Sequence, residues 1–441
     1  MKTLWVGFLL VSSWPALAFA AGTFVISGGT VHPVSGPEIP GGMVVVENGK
    51  ISAVGANVSI PAGAERVDAT GLQVYPGMIA LNTVLGLQEI GAVRATRDVE
   101  EVGDLNPNAR AKVALNADSE LIPVARANGV LAVQSATSGG VISGTSVMWQ
   151  LQGWNWEQMT IKEPAALHVN WPTMINRTRG WWDEGPVKSD EEQKKEREKR
   201  LKAVRDAFDN AKAYMKAREA MASGGPRHDF DVRWEAMIPA LKKQIPVFVQ
   251  ADEYMQIASA LDFAKDEDLR IVIVGGRDAW RLADRLSAAR VPVVYDETLS
   301  MPRRSWEPYD AAYSVPGKLF AAGVPFCIST GTDDASNLRN LPYEAAMAAA
   351  FGLPKEEALK AVTLYPAQIL GVADRLGSLE AGKDATLIVT DGDPLEIESH
   401  VRMAWISGEA VDLSSRHTRL YDKYRNRPRV DGGVSKLAAA P

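Results

Sequence analysis

The sequence predicts an α/β protein: a (β/α)8 TIM-type barrel with a small composite β-sandwich built from both chain ends. Three observations carry this. Apolar strand-like runs alternate with helical stretches through the middle of the chain, the pattern of repeated βα units on a parallel sheet. Short β-patterned runs broken by glycine turns occupy the N-terminal part and recur near the end. A length of 441 residues exceeds one small core and suits a large domain plus a smaller one.

The first element in chain order is a leader. Met1-Lys2-Thr3 precedes the apolar run Leu4 to Leu17, and Ala18-Phe19-Ala20 gives an A-x-A cleavage pattern before Ala21. Residues 1–20 therefore read as a secretory signal, too short and wrongly flanked for a stable membrane span. The expected location is the periplasm or outside the cell, with no membrane span after cleavage. Cys327 is the single cysteine, so export brings no intramolecular disulfide.

Next come the runs 23–27, 42–47, 51–54 and 67–69, punctuated by Gly28-Gly29, Asn48-Gly49 and Gly71. A matching set lies at 384–390, 400–407 and 409–413. Neither set has enough strands for a core, so residues 21–73 and 376–415 are expected to pair into one sandwich domain. Between them, over 74–375, eight strand runs are clear: 74–81, 130–136, 147–151, 165–169, 247–251, 270–274, 291–295 and 324–329. Functional groups are expected at their C-terminal ends. An insert from Ser189 to Met221 has a capping box in Ser189 and Glu192, then Leu201, Val204, Phe208, Ala211 and Met215 at helical spacing. It predicts a long amphipathic helix with a solvated charged face. The basic tail, 416–441, is expected to be extended or partly disordered.

A net charge of −6, from 54 acidic and 48 basic side chains, gives no reason to expect nucleic acid or an anionic membrane as partner. The absence of a G-x-S-x-G elbow, a G-x-G-x-x-G turn and a P-loop argues against a serine hydrolase, a dinucleotide enzyme and a kinase. Cys327, inside VPFCIS, reads as a small core residue. Asp252 and Glu253 follow the fifth run, where a carboxylate can act as general base. Six of the twelve tryptophans fall between 149 and 182, as an aromatic wall for a ring-bearing ligand or as packing under a loop or interface.

Three segments resemble the amidohydrolase superfamily, in particular its imidazolonepropionase-like branch: VYPGMI at 74–79, DLNPNARAKVALNADSELIPVARANGV at 104–130, and GSLEAGKDATLIV at 377–389. The resemblance implies a metal-dependent hydrolase of non-peptide or dipeptide C–N bonds, with zinc or another divalent cation. It implies two histidines after the first strand, a lysine at the fourth, single histidines at the fifth and sixth, and an aspartate after the eighth. In this chain the corresponding positions hold Asn82 and Val84, then His168 or Asn170, then Gln250, then Arg277, and finally Asp333 or Asp334. Amides are poor zinc ligands and a guanidinium does not coordinate, so no metal cofactor is expected.

The candidate ligand-binding set is therefore Asn82, Val84, Gln250, Arg277 and Asp333, with His168, Asn170, Glu253 and Asp334 also considered. Arg277 is expected to replace the metal's charge and to pair with Asp333 or Asp334. The leading expectation is a pseudoenzyme that binds a small molecule at the barrel mouth or acts as a scaffold subunit, as a homo-oligomer or beside an active relative. The alternative is a working hydrolase with a single metal on His168, Asp333 and Glu253. Third is a metal-free acid–base enzyme using Arg277 and a carboxylate.

Overall fold

The computed structural model describes residues 22–176, 188–332 and 335–427. The leader lies outside the described residues. The N-terminal runs form β1 (Phe24–Ser27), β2 (Thr30–Val31), β3 (Met43–Glu47), β4 (Lys50–Gly55), β5 (Glu65–Asp68) and β6 (Gln73–Pro76). Asn48 and Gly49 both have positive φ, 52° and 78°, and make the two-residue turn whose twist suits the β3–β4 hairpin. The first sheet has the order β4-β3-β1-β5, with β5 parallel to β1.

The expected run 74–81 divides at Gly77, where a Cβ would lie 2.7 Å from Leu131. Before it, β6 stays with the small sheets; after it, β7 (Met78–Thr83) enters the large region. There follow β8 (Val130–Ser135), β9 (Ile142–Thr145), β10 (Val147–Gln150), β11 (Thr160–Lys162), β12 (Leu167–Asn170), β13 (Val247–Ala251), β14 (Ile271–Gly275), β15 (Val293–Tyr295) and β16 (Phe326–Ile328). Strands β12 to β16 are parallel neighbours in sequence order, and β7 is parallel to β8.

The third run departs from expectation, because it is antiparallel. Only Ser146 separates β9 from β10, β10 pairs with β8, and β9 pairs with β12, so this one segment joins the two sheets of the region. The cause is local. After β8 the chain turns back at Gly139 and Gly140, with φ of 81° and 61°, and so short a return brings an antiparallel neighbour, whereas a parallel one needs a long crossover. Alternate residues of the strands, among them Ile79, Leu81, Ala132, Met148, Phe248, Val272, Val274, Val294 and Cys327, enclose an apolar centre. The opposite faces pack under the helices. Ser329 Oγ donates to the Leu81 carbonyl, tying the segment after β16 back to β7.

The long insert is the helix Asp190–Ala222, opened by the expected capping box between Ser189 and Glu192. It buries Val204, Ala207, Phe208, Ala211 and Tyr214, with Tyr214 donating to Glu235 at 2.7 Å. The start of the tail differs from expectation. Arg416–Arg425 is a helix, capped where Ser415 N–H donates to Thr418 Oγ1 at 2.9 Å. Among the described residues no helix is long and apolar enough to cross a membrane.

The chain ends meet in the second small sheet. β17 (Leu387–Thr390), β18 (Val401–Ile406) and β19 (Glu409–Ala410) complete the order β19-β18-β17-β6-β2, with β17 antiparallel to β6. Both small sheets bury one apolar cluster including Ile26, Val44, Val46, Val74, Leu387 and Val389. Asp384 fastens the two ends together: it accepts from Lys50 at 2.9 Å and from Arg375 at 2.9 and 2.7 Å. Because both cations are partly exposed and retain water, Asp384→Ala should cost on the order of 1–2 kcal/mol. A urea midpoint unchanged by that substitution would contradict the fastening role.

Candidate functional site

The site is built at the C-terminal ends of the parallel strands. Along β13, Phe248 faces the apolar centre, and period-two alternation puts Gln250 and Asp252 on the same side. Gln250 Nε2 lies 3.4 Å from Asp252 Oδ2, while Asp252 Oδ1 is buried without a hydrogen-bond partner among the described residues. The next strand makes room for this carboxylate. A Cβ on Gly275 would sit 2.1 Å from Asp252 Oδ1, and Gly275 has φ of 87°. Only glycine suits that position.

Arg277 follows this turn and is only 9% exposed. Its guanidinium forms an ion pair with Glu297, two residues beyond β15, and Glu297 also meets Arg303 at 3.3 Å. Arg277 Nε and Glu297 Oε2 are buried and have no hydrogen-bond partner among the described residues. Glu344, from the helix Leu341–Ala350, accepts the Leu299 N–H at 3.0 Å and so holds the loop after Glu297. The same loop is pinned by a guanidinium fork from Arg304 onto Asp278, both bonds 2.7 Å, while Asp278 also accepts the Tyr254 N–H.

Burial sets the protonation of these groups. It pushes the Asp252 carboxyl up to about 6, helped by the Glu297 charge and opposed by Arg277. It pushes Glu344 up to about 8, against the Leu299 N–H that favours the carboxylate. Burial thus biases both carboxyls toward the protonated form, Glu344 more strongly than Asp252.

The predicted residues divide into three groups. Gln250 and Arg277 belong to the cluster. Asn82 is buried at the end of β7 in a left-handed conformation, φ 53°, and its N–H donates to Gln134 at 3.1 Å, whereas Val84 lies in the main apolar core. Asn170 donates to the Gly139 and Gly140 carbonyls at 2.9 and 3.2 Å, holding the glycine turn. His168 is buried against Phe248, ring centroids 5.3 Å apart, and burial pushes its imidazole down to about 3, so it stays neutral. Glu253 stands at the start of the helix Tyr254–Asp266 and accepts from Thr173 at 3.4 Å. Asp333 and Asp334 lie outside the described residues, and with them their expected pairing to Arg277.

Cys327 is buried in the apolar centre and burial pushes its thiol pKa up, in line with a core residue. Of the clustered tryptophans, Trp149 is fully buried and donates to Ser135 at 2.9 Å, Trp171 is also core, and Trp154 is 90% exposed. Trp181 and Trp182 lie outside the described residues. Sequence reading missed Glu297 and Glu344.

The donor chemistry at 250 and 277 does not fit the metal site that the resemblance implies. An amide at 250 and a guanidinium at 277 already committed to Glu297 offer no metal-binding lone pair comparable to imidazole. Among the described residues, no three His, Cys, Asp or Glu side chains are grouped to hold a metal ion.

Comparison with known proteins gives a consistent picture. The sequence model of the amidohydrolase family matches residues 315–415. The amidohydrolase tasK of Hapsidospora irregularis is 24% identical over 416 residues, which are 86% of this chain and 41% of that protein. The N-acetylglucosamine-6-phosphate deacetylase of Bos taurus is 48% identical over 62 residues, 14% of each chain. An imidazolonepropionase of Chromobacterium violaceum is 44% identical over 105 residues, 23% of this chain and 25% of that one. The matches thus span less than half the length of these curated relatives. A crystal structure of an amidohydrolase from Thermotoga maritima has a TM-score of 0.78 and 28% identity, covering 88% of this chain and 99% of that one. An adenosine deaminase from Xanthomonas campestris with bound zinc, at 18% identity and a TM-score of 0.51 over 92% of this chain and 97% of that one, shares the fold. Together the family match and the structural likeness support the amidohydrolase superfamily.

The Asp252 environment predicts a pH-dependent stability. Its native pKa of about 6 exceeds the ordinary 3.8, so the stability it contributes is present below about 4 and lost as pH rises through about 6. Asp252→Asn removes that loss. The variant should gain over the natural protein between pH 4 and 7, by no more than about 3 kcal/mol. Thermal unfolding curves whose difference stays constant across that range would contradict it. Gly275→Ala should lower the midpoint at every pH, because the added methyl meets Asp252 Oδ1.

Proposed function

We propose that this amidohydrolase-superfamily chain forms a variant of the family's (β/α)8 barrel. In this reading it holds a small carboxylate- or carbonyl-bearing ligand at the strand ends through Arg277, in place of a metal pair. The single observation that carries the reading is the largely buried guanidinium at the sixth-strand position, paired with Glu297 and lining a cavity beside the strand ends. A fixed cation on the wall of a partly dehydrated cavity attracts an oxygen anion or a carbonyl. It does not activate water as a metal does. The protein then acts as a ligand-binding or scaffold subunit, a pseudoenzyme among hydrolases of C–N bonds. The leader sequence supports export to the periplasm or beyond. Assembly with its own copies or with an active relative accords with a scaffold role.

A second reading has its own observation. Asp252, with its carboxyl raised to about 6 and within reach of the Arg277 charge, has the character of a general base for attack on a polarised carbonyl without metal. The single-metal reading on His168, Asp333 and Glu253 draws less support. His168 is buried against Phe248, and Glu253 is engaged by Thr173.

Protein purified from zinc- and manganese-supplemented medium should carry well under one equivalent of metal after dialysis. Acetate, followed by protein-detected NMR, should perturb the Asp252 and Arg277 region, and Arg277→Met should weaken its binding by at least about tenfold. Stoichiometric metal, or acetate binding indifferent to Arg277→Met, would overturn the proposal. Turnover of a cyclic amide or dipeptide that disappears in Asp252→Asn would select the acid–base reading instead.

A further inference from the structure

We infer that the ligand of Arg277 carries one ring-sized apolar group, and that this group occupies the cavity between Trp280 and Trp306. The inference rests on the reading of Arg277 as ligand anchor and extends it to ligand class: an aryl or cycloalkyl carboxylate or amide. The cavity has a volume of about 160 Å³ and adjoins the site directly, because Arg277 is among its lining residues. Most of the remaining wall is carbon, from Trp280, Trp306, Met301, Pro308, Ala312 and Val315. An apolar cavity of roughly 150 Å³ accepts benzene, so the volume suits one six-membered ring and not two.

The walls are held in place before any ligand arrives. Lys318 Nζ lies 4.4 Å from the Trp280 ring centre and Arg304 Cζ lies 5.5 Å from that of Trp306. Arg304 is itself locked by its fork onto Asp278, so the second tryptophan is tied to the end of β14. Yet the apolar surface is incompletely covered: Trp280 is 38% exposed, Trp306 64% and Met301 81%. A ring lodged between them would remove that surface from water, while its carboxylate or amide oxygen faces the Arg277 side chain where it lines the cavity. A charged group at one end and a ring at the other is the ligand shape that this pair of features selects.

The test compares acetate with phenylacetate on the natural protein, on Ala312→Leu, which fills the cavity, and on Trp280→Ala, which removes a wall. Phenylacetate should bind the natural protein at least about tenfold more tightly than acetate. Both variants should lose most of that preference and keep their acetate affinity, which also shows that they are folded. Equal affinities for the two acids, or a preference that survives both substitutions, would overturn the cavity assignment while leaving Arg277 as the anchor. Failure of both acids to bind the natural protein would overturn the anchor and the cavity together.

Discussion

A guanidinium cannot give up its proton, so once Arg277 is buried at the end of β14 the rest of the strand-end site must answer its charge. Glu297 supplies the direct partner, and Asp252 lies close enough that Arg277 opposes the rise in its pKa. The same burial that makes the ion pair necessary makes the neighbouring carboxylates reluctant to ionise. Arg277 is joined on Glu297 by Arg303, and loss of water is the largest cause of the raised pKa values of Asp252 and Glu344.

The fold places these groups through backbone devices. The glycine pair 275–276 ends β14 with positive φ, lets the Asp252 carboxylate approach the backbone, and turns the chain so that Arg277 reaches Glu297. The loop after β15 is then fastened twice, by Glu344 to the Leu299 N–H and by Arg304 to Asp278. This second fastening also positions Trp306, linking the polar cluster to the apolar cavity beside it.

Much of the fold was legible, because continuous apolar runs between turn residues mark buried strands, and each of the eight runs overlaps one. Strand direction was not legible from the run 147–151. Alternation and hydrophobicity are the same whichever way a strand points, and only the brevity of the Gly139-Gly140 return excludes a parallel crossover. The tail helix was missed because its polar sequence buries no residue, leaving only the Ser415–Thr418 cap as a signal. In the site, Gln250 and Arg277 were found by position along the strands. Glu297 and Glu344 were not, since a partner contributed by another strand or helix depends on packing that no local pattern encodes. Asn170 was considered as a ligand and instead secures a turn, a role set by carbonyls thirty residues away.

The central claim, that an internal ion pair organises the site, is tested most directly by a double-mutant cycle on Arg277 and Glu297. Unfolding free energies would be measured for Arg277→Met, Glu297→Gln and the pair together. Each single change strands a buried charge and should cost on the order of 3 kcal/mol, whereas the double variant removes both charges and should recover a coupling of at least about 2 kcal/mol. Losses that simply add, within about 0.5 kcal/mol, would mean that the two side chains do not depend on each other and would contradict the account.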